Sequence, residues 1–338
     1  MTPILGIMAS AGKGKTPFIA VSSSGGSGDF SVYPWSSSGF GTRYTNPATV
    51  PSSGTEGVAF NPAGTAVAVA ASGTPYVYTY PWSSSGFGTK YADPATLPTG
   101  QAHDVAFNPA GTVIAVAHAT TPFISAYPWS AGFGTKYANP ASLPPGTTYG
   151  VAFNAAGTAI AMSSVTTPFI VAYPWSAGFG TKYANPATLP SGSSDAITFN
   201  PAGTAIAIAS DTTPFIFAYP WSAGFGTKYA NPATLPTGSA FGVAFNPAGT
   251  DIAVAHDVSP YVSAYPWSAG FGTKYANPAT LPTGTGESVA FNSTGTAIAV
   301  AHLVSPNVSA YPWSAGFGTK YANPATLPSL NGVGVAFI

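Results

Sequence analysis

The stretch from Val105 to Gly146, VAFNPAGTVIAVAHATTPFISAYPWSAGFGTKYANPASLPPG, decides the fold. VAF is a short apolar run, and the turn residues NPAG end it. TVIAVAH alternates branched and small residues, a pattern that is typical of a strand. The aromatic FISAYPW favours a third strand, and GTKYANPASLP is a weaker fourth one whose prolines suit an outer edge. The unit therefore predicts four short strands and no helix.

The same unit recurs along almost the whole chain. Its marker is the string YPWS, which occurs seven times at intervals of 46 or 47 residues. Its tryptophans are Trp35, Trp82, Trp129, Trp175, Trp221, Trp267 and Trp313. Seven small sheets can cover one another's faces when they are arranged radially. We therefore predict an all-β fold, a seven-bladed β-propeller of four-stranded blades, with a β-solenoid as the alternative.

The two ends of the chain predict how the ring closes. The chain ends on a copy of the VAF motif, Val335–Ile338, with no second strand behind it. It begins with PFIAV from Pro17 and DFSVYPW from Asp29, with no VAF before them. The C-terminal strand is therefore expected to join the N-terminal blade. This assigns residues 16–338 to the propeller and residues 1–15 to an appendage that could serve for attachment.

The composition excludes several classes of protein. Only nine basic and nine acidic residues occur, and 45% of the chain is hydrophobic, so disorder driven by charge is excluded. The absence of Cys excludes a disulfide scaffold and zinc held by Cys. A formal net charge of zero disfavours nucleic acid, and no apolar run is long enough for a membrane helix. We expect no cofactor and no metal.

The repeats also resemble known families. VAFNPAG followed by an Ala/Val-rich strand resembles the YVTN and WD-repeat-like propellers. The longer pattern, from VAFNPAGTAIAVAH to GTKYANPATLPTG, is similar to repeats in structural proteins of tailed-bacteriophage virions and in some bacterial surface proteins. The opening ILGIMAS resembles segments near the ends of phage virion proteins. The resemblance covers residues 16–338 and implies a propeller displayed on a particle.

One column of the repeat varies far more than its surroundings. It lies two residues before the first residue of VAF, and a loop at the mouth of the central channel is expected to carry it. Its members are Glu56, His103, Tyr149, Asp195, Phe241, Glu287 and Val333. Acids, an imidazole and aromatic rings in one place indicate a ligand site. Neutral variation of surface loops is the alternative interpretation.

Two further columns carry titratable groups. His118, His256 and His302 end the second strand, where a partly buried structural role is favoured over a metal or pH-sensing ring. A basic residue recurs in GTKYANP and forms a ring on the rim, consisting of Arg43, Lys90, Lys136, Lys182, Lys228, Lys274 and Lys320. Edge lysines prevent aggregation between strands, and the alternative is docking to an acidic partner. The Trp and Tyr of YPWS are expected to pack between blades rather than to stack on sugars.

These observations and the resemblance together predict a non-enzymatic structural and binding protein. The expected location is a phage virion, with other virion or surface-assembly proteins as partners and a host glycan as a possible ligand. The alternatives are a secreted bacterial adhesin and a propeller enzyme, a hydrolase or lyase. Paired acid–base work is disfavoured because Glu56, Asp195 and Glu287 come from non-adjacent blades. A metal held across the channel by these acids and His103 would restore the enzyme interpretation.

Overall fold

The computed structural model describes residues 17–26 and 28–338, which form seven antiparallel sheets. Each sheet is one blade, and all the regular elements of these residues are strands. The predicted appendage, residues 1–15, lies outside the described residues. The described residues contain no helix that is long and apolar enough to cross a membrane.

Three strands recur in every blade. The innermost strands are β4 (Thr55–Phe60), β8 (Ala102–Phe107), β11 (Thr148–Phe153), β14 (Ser194–Phe199), β17 (Ala240–Phe245), β20 (Gly286–Phe291) and β23 (Asn331–Phe337). The second strands are β1 (Phe18–Ser24), β5 (Ala66–Ala71), β9 (Val113–His118), β12 (Ala159–Ser164), β15 (Ala205–Ser210), β18 (Asp251–His256) and β21 (Ala297–His302). The third strands are β2 (Phe30–Ser36), β6 (Val77–Ser83), β10 (Ile124–Pro128), β13 (Ile170–Pro174), β16 (Ile216–Pro220), β19 (Val262–Pro266) and β22 (Val308–Pro312).

The fourth strand is the shortest part of each blade. It has two residues in the first two blades, as β3 (Gly39–Phe40) and β7 (Gly86–Phe87), and pairs with the Trp-bearing strand. In the other five blades it is a single bridge, as between Trp129 and Phe133. The predicted strand over GTKYANPASLP does not form, and its two prolines have no amide to donate to a neighbouring strand. In that segment Tyr137 N donates to Ala126 O at 2.9 Å.

The predicted ring closure is confirmed. The C-terminal strand β23 pairs with β1 in the N-terminal blade, with Ala336 opposite Ala20 and Val335 opposite Val21. Each innermost strand contacts the innermost strands of both neighbouring blades, and β23 contacts β4 and β20. The seven innermost strands therefore form a continuous wall around the channel.

The hydrophobic core consists of separate clusters between neighbouring blades and not of one central cluster. Ala66, Ala68 and Ala70 on one face of β5 pack against Ile114 and Val116 of β9 in the next blade. All five side chains are buried. Small residues on one face and branched ones on the facing blade let the two sheets approach closely, as the alternation in the sequence predicts.

A turn that begins with Asn sets the register in the six blades whose innermost and second strands are consecutive. It reads NPAG in four blades, NAAG from Asn154 and NSTG from Asn292. Asn108 Oδ1 accepts hydrogen bonds from Thr112 N at 2.8 Å and Val113 N at 2.9 Å. Gly111 has φ of 68° in this turn, a conformation that favours glycine. The turn therefore fixes where the innermost strand ends and the second strand begins.

Candidate active site

Every varied residue lies at a β-bulge of an innermost strand. In β8 the ladder pairs Ala102 with His118 and Asp104 with Ala117, so His103 has no partner opposite it. The register shifts at the same place in the other six blades. A bulge adds one residue to a strand, which interrupts the alternation of its side chains and changes the direction of one of them. The varied residues were expected in loops, but the structure places them on strands.

The bulges bring the predicted site residues together around one cavity. Its volume is about 480 Å³, and Glu56, His103, Tyr149, Asp195, Phe241 and Glu287 all line it. Val333, the seventh member of the column, also lines it. The cavity is therefore formed by all seven blades, since each innermost strand contributes one varied residue.

Glu56 and His103 form a hydrogen-bonded pair across two neighbouring blades. Nδ1 of His103 lies 2.6 Å from Oε2 of Glu56. The other carboxylate oxygen of Glu56 accepts a hydrogen bond from Gln101 Nε2 at 2.5 Å. The His103 ring packs against Tyr149 with 4.3 Å between the ring centroids. His103 is thus oriented on two sides, with 8% of its side chain exposed.

The sequence argument against acid–base work compared only carboxylates and missed this pair. Glu56 and His103 occupy the same column in consecutive repeats, and consecutive repeats are neighbouring blades. The spacing of 47 residues between Glu56 and His103, one repeat length, was the feature of the sequence that could have identified the pair.

Asp104 is a second residue that the sequence argument missed. Its carboxylate accepts hydrogen bonds from Val105 N at 2.8 Å and from Val151 N of the next blade at 3.0 Å. It lines the cavity, and burial raises its pKa to about 7. The equivalent residues in the other blades are Gly57, Gly150, Ala196, Gly242, Ser288 and Gly334. A single acid in a column of small residues was visible in the sequence.

The remaining two acids of the varied column, Asp195 and Glu287, also have raised pKa values. Burial raises the pKa of Asp195 to about 7, and the negative charge of Asp211 adds to the effect. Burial likewise raises the pKa of Glu287 to about 7, with Asp195 as the next cause. Both carboxyls therefore exchange protons near neutral pH.

The three histidines of the second-strand column are buried more deeply than the partial burial that the sequence predicted. His118, His256 and His302 are fully buried, and their Nε2 atoms lie 3.0 Å from the hydroxyls of Ser125, Ser263 and Ser309. Burial lowers the pKa of each to about 4, so each is neutral at physiological pH. They belong to three separate blades and do not form a ring.

The YPWS aromatics pack between blades, as predicted. The seven tryptophans are between 3% and 6% exposed. Trp221 makes edge-to-face contacts with Tyr183 of the preceding blade and with Phe199 and Phe225 of its own. This burial is incompatible with a surface for stacking on sugars.

The basic ring lies on the outer segments, away from the cavity. Each basic side chain donates a hydrogen bond to the side chain three residues later, as from Lys182 to Asn185 at 2.7 Å and from Arg43 to Asn46 at 2.8 Å. The other pairs are Lys90–Asp93, Lys136–Asn139, Lys228–Asn231, Lys274–Asn277 and Lys320–Asn323. These hydrogen bonds stabilise the irregular outer segment of each blade. Docking of a partner to this ring stays a prediction.

The metal interpretation of the channel finds no support in the side-chain geometry. Over residues 17–26 and 28–338, no three His, Asp or Glu side chains are grouped closely enough to hold a metal ion. Glu56 and His103 pair with each other, but Asp195 and Glu287 do not join them in one cluster.

Comparisons with known proteins identify the fold. No protein-family model matches the chain, and no curated protein matches it. A protein from Lactobacillus plantarum has a similar structure, with a TM-score of 0.75 at 12% identity over 96% of this chain and 99% of that one. A putative 6-phosphogluconolactonase from Bacteroides uniformis gives 0.70 at 14% identity, over 96% and 100%. A periplasmic gluconolactonase from Pseudomonas aeruginosa gives 0.72 at 12% identity, over 96% and 99%.

These comparisons correct the functional expectations from the sequence. The similar structures include proteins named as lactonases, which are enzymes, so the expectation of a non-enzymatic phage virion component is wrong. The resemblance to virion, YVTN and WD-repeat families holds only for the kind of fold, because no model of any family matches. Identities of 12–14% show the fold alone. The chain is a seven-bladed β-propeller similar in structure to propellers named as gluconolactonases.

Proposed function

We propose that this chain is a hydrolase that opens a sugar lactone at the mouth of its central channel. The observation that carries the proposal is the pair in which His103 Nδ1 lies 2.6 Å from Glu56 Oε2. A carboxylate that accepts the Nδ1 proton fixes the imidazole tautomer and leaves Nε2 as the basic nitrogen. The names of two similar structures, a putative 6-phosphogluconolactonase and a periplasmic gluconolactonase, support the choice of substrate class.

In the proposed reaction, His103 acts as the general base. Its Nε2 takes a proton from a water molecule while the water oxygen attacks the lactone carbonyl carbon. The ring C–O bond then breaks, and the departing oxygen takes up a proton. The product is an open chain with a carboxylic acid and a new hydroxyl group, so the reaction consumes one water molecule.

Asp195 and Glu287 fit the role of proton donor to the departing oxygen. Both line the same cavity as His103, from blades that are not adjacent to the His103 blade. Their pKa values are raised to about 7 by burial, so each carboxyl is partly protonated near neutral pH. A base that activates water and an acid that protonates the departing oxygen both accelerate ester hydrolysis.

The test is hydrolysis of glucono-δ-lactone by the purified protein, followed as acid release above the spontaneous rate. We expect turnover by the wild type, and a His103→Gln variant whose kcat is lower by about 10²–10⁴-fold with little change in KM. Asp93→Asn is the matched control, because Asp93 pairs with Lys90 on the outer segment and the other six repeats have Asn there. A wild-type rate equal to the spontaneous rate would contradict the proposal.

We also propose a secreted or periplasmic location. The word periplasmic in the name of the Pseudomonas aeruginosa neighbour supports it. The absence of Cys is compatible with an oxidising compartment.

A further inference from the structure

The cavity and the rim carry opposite charges. Among the residues that line the cavity, the charged ones are the acids Glu56, Asp104, Asp195 and Glu287, and none of the lining residues is Lys or Arg. Seven of the nine basic residues form the rim ring, and the other two, Lys13 and Lys15, lie outside the described residues. Although the net charge of the chain is zero, the rim of the described residues is positive and the channel mouth is acidic.

The apolar part of the cavity suits a ring with many hydroxyl groups. The paired rings of His103 and Tyr149 and the ring of Phe241 line it together with the acids. Aromatic faces pack against C–H groups, and carboxylates accept hydrogen bonds from hydroxyl groups. Neither feature offers a partner for a phosphate group, which Arg and Lys normally bind.

We infer that this cavity takes an uncharged lactone, rejects a phosphorylated one, and expels the carboxylate that hydrolysis produces. The inference rests on the proposed lactonase function and goes beyond it by choosing between the two substrate types. A negative group placed among buried carboxylates is repelled strongly, because the dielectric constant there is low. Water adds to the neutral ester, the ring C–O bond breaks, and the acid formed loses its proton. A neutral substrate thereby becomes an anion inside an acidic pocket.

The ionisation of the pocket predicts how this selection depends on pH. Burial raises the pKa of Asp104, Asp195 and Glu287 to about 7, so the negative charge of the cavity grows as pH rises through neutrality. Repulsion of an anion should grow in the same range. Among the described residues, every Arg and Lys side chain lies on the outer segments, paired with the Asn or Asp three residues later.

The experiment compares kcat/KM for glucono-δ-lactone and for 6-phosphoglucono-δ-lactone at about pH 6 and about pH 8. We expect the uncharged lactone to be preferred by at least about tenfold at the higher pH, and by less at the lower pH. In the Asp195→Asn, Glu287→Gln double variant, whose kcat falls for both substrates, the preference should shrink several-fold. The gluconate inhibition constant of this variant should also fall by about tenfold.

Asp93→Asn, which removes an acid from the rim, should leave both the preference and the inhibition constant unchanged. Faster hydrolysis of the phosphorylated lactone would overturn the inference and leave the lactonase function standing. Equal inhibition of the wild type and the double variant by gluconate would overturn the expulsion of product. Turnover of neither lactone would overturn the proposed function and this inference together.

Discussion

At the scale of single residues, the bulge lets the side chain that faces the cavity vary while the strand keeps its pairing. Each innermost strand keeps its ladder on both sides of the bulge, as with Ala196 opposite Ala209 and Ser194 opposite Ser210 around Asp195. The unpaired residue can therefore be acid, imidazole or aromatic without disturbing the sheet. The side chains of Asp195 and Glu287 both line the cavity, and neither residue has a partner in the ladder. This explains why one column varies within nearly constant repeats.

The two acids should make stability depend on pH. Unfolded carboxyls titrate near 4, whereas the pKa values of Asp195 and Glu287 in the folded chain are about 7. The folded state binds more protons in between, so these groups lower stability as pH rises through that range. The Asp195→Asn, Glu287→Gln variant should therefore melt above the wild type at about pH 8 and together with it near pH 4. Calorimetry of both proteins tests this, and equal melting at both pH values would contradict it.

At the scale of elements, the aromatic end of the third strand links neighbouring blades. Trp221 follows β16 and is 5% exposed, with its ring between Tyr183 of the preceding blade and Phe199. Trp221→Ala should lower the free energy of unfolding by about 3–5 kcal/mol, because it leaves a cavity between two sheets. Trp221→Phe should cost less, since it keeps part of the contact. Urea unfolding of both variants measures the difference, and a change below about 1 kcal/mol for Trp221→Ala would exclude the packing role.

The elements that could be predicted from sequence are those whose pattern is local. VAF, TVIAVAH and FISAYPW each carry their own periodicity or aromatic content, and the structure forms strands there. GTKYANPASLP was predicted as a weaker outer strand whose prolines suit a sheet edge, but the segment is irregular in the structure. The bulges could not be predicted, because a register shift depends on how two strands pair and not on either strand by itself.

At the scale of the whole molecule, the closing strand β23 completes the wall of the cavity, which Val333 and Gly334 line. Glu56 lies on β4, and the neighbouring innermost strands are β8, which carries His103, and the C-terminal β23. Gly334 of β23 approaches the backbone oxygen of Glu56 so closely that a side-chain carbon there would lie 2.5 Å from it. The closing strand therefore supports the strand that holds the carboxylate of the proposed pair.

Deleting Val335–Ile338 should open the ring and disable the site together. The deletion removes the partners of Ile19, Ala20 and Val21 in β1, and it leaves that strand as an exposed edge. We expect a markedly lower melting temperature, aggregation on heating, and loss of lactone hydrolysis. In a chain truncated after Leu330, a synthetic peptide with the sequence NGVGVAFI, residues 331–338, should restore both properties in part by pairing with β1. A truncated chain that melts and hydrolyses like the full one would show that neither the fold nor the Glu56–His103 pair depends on closure.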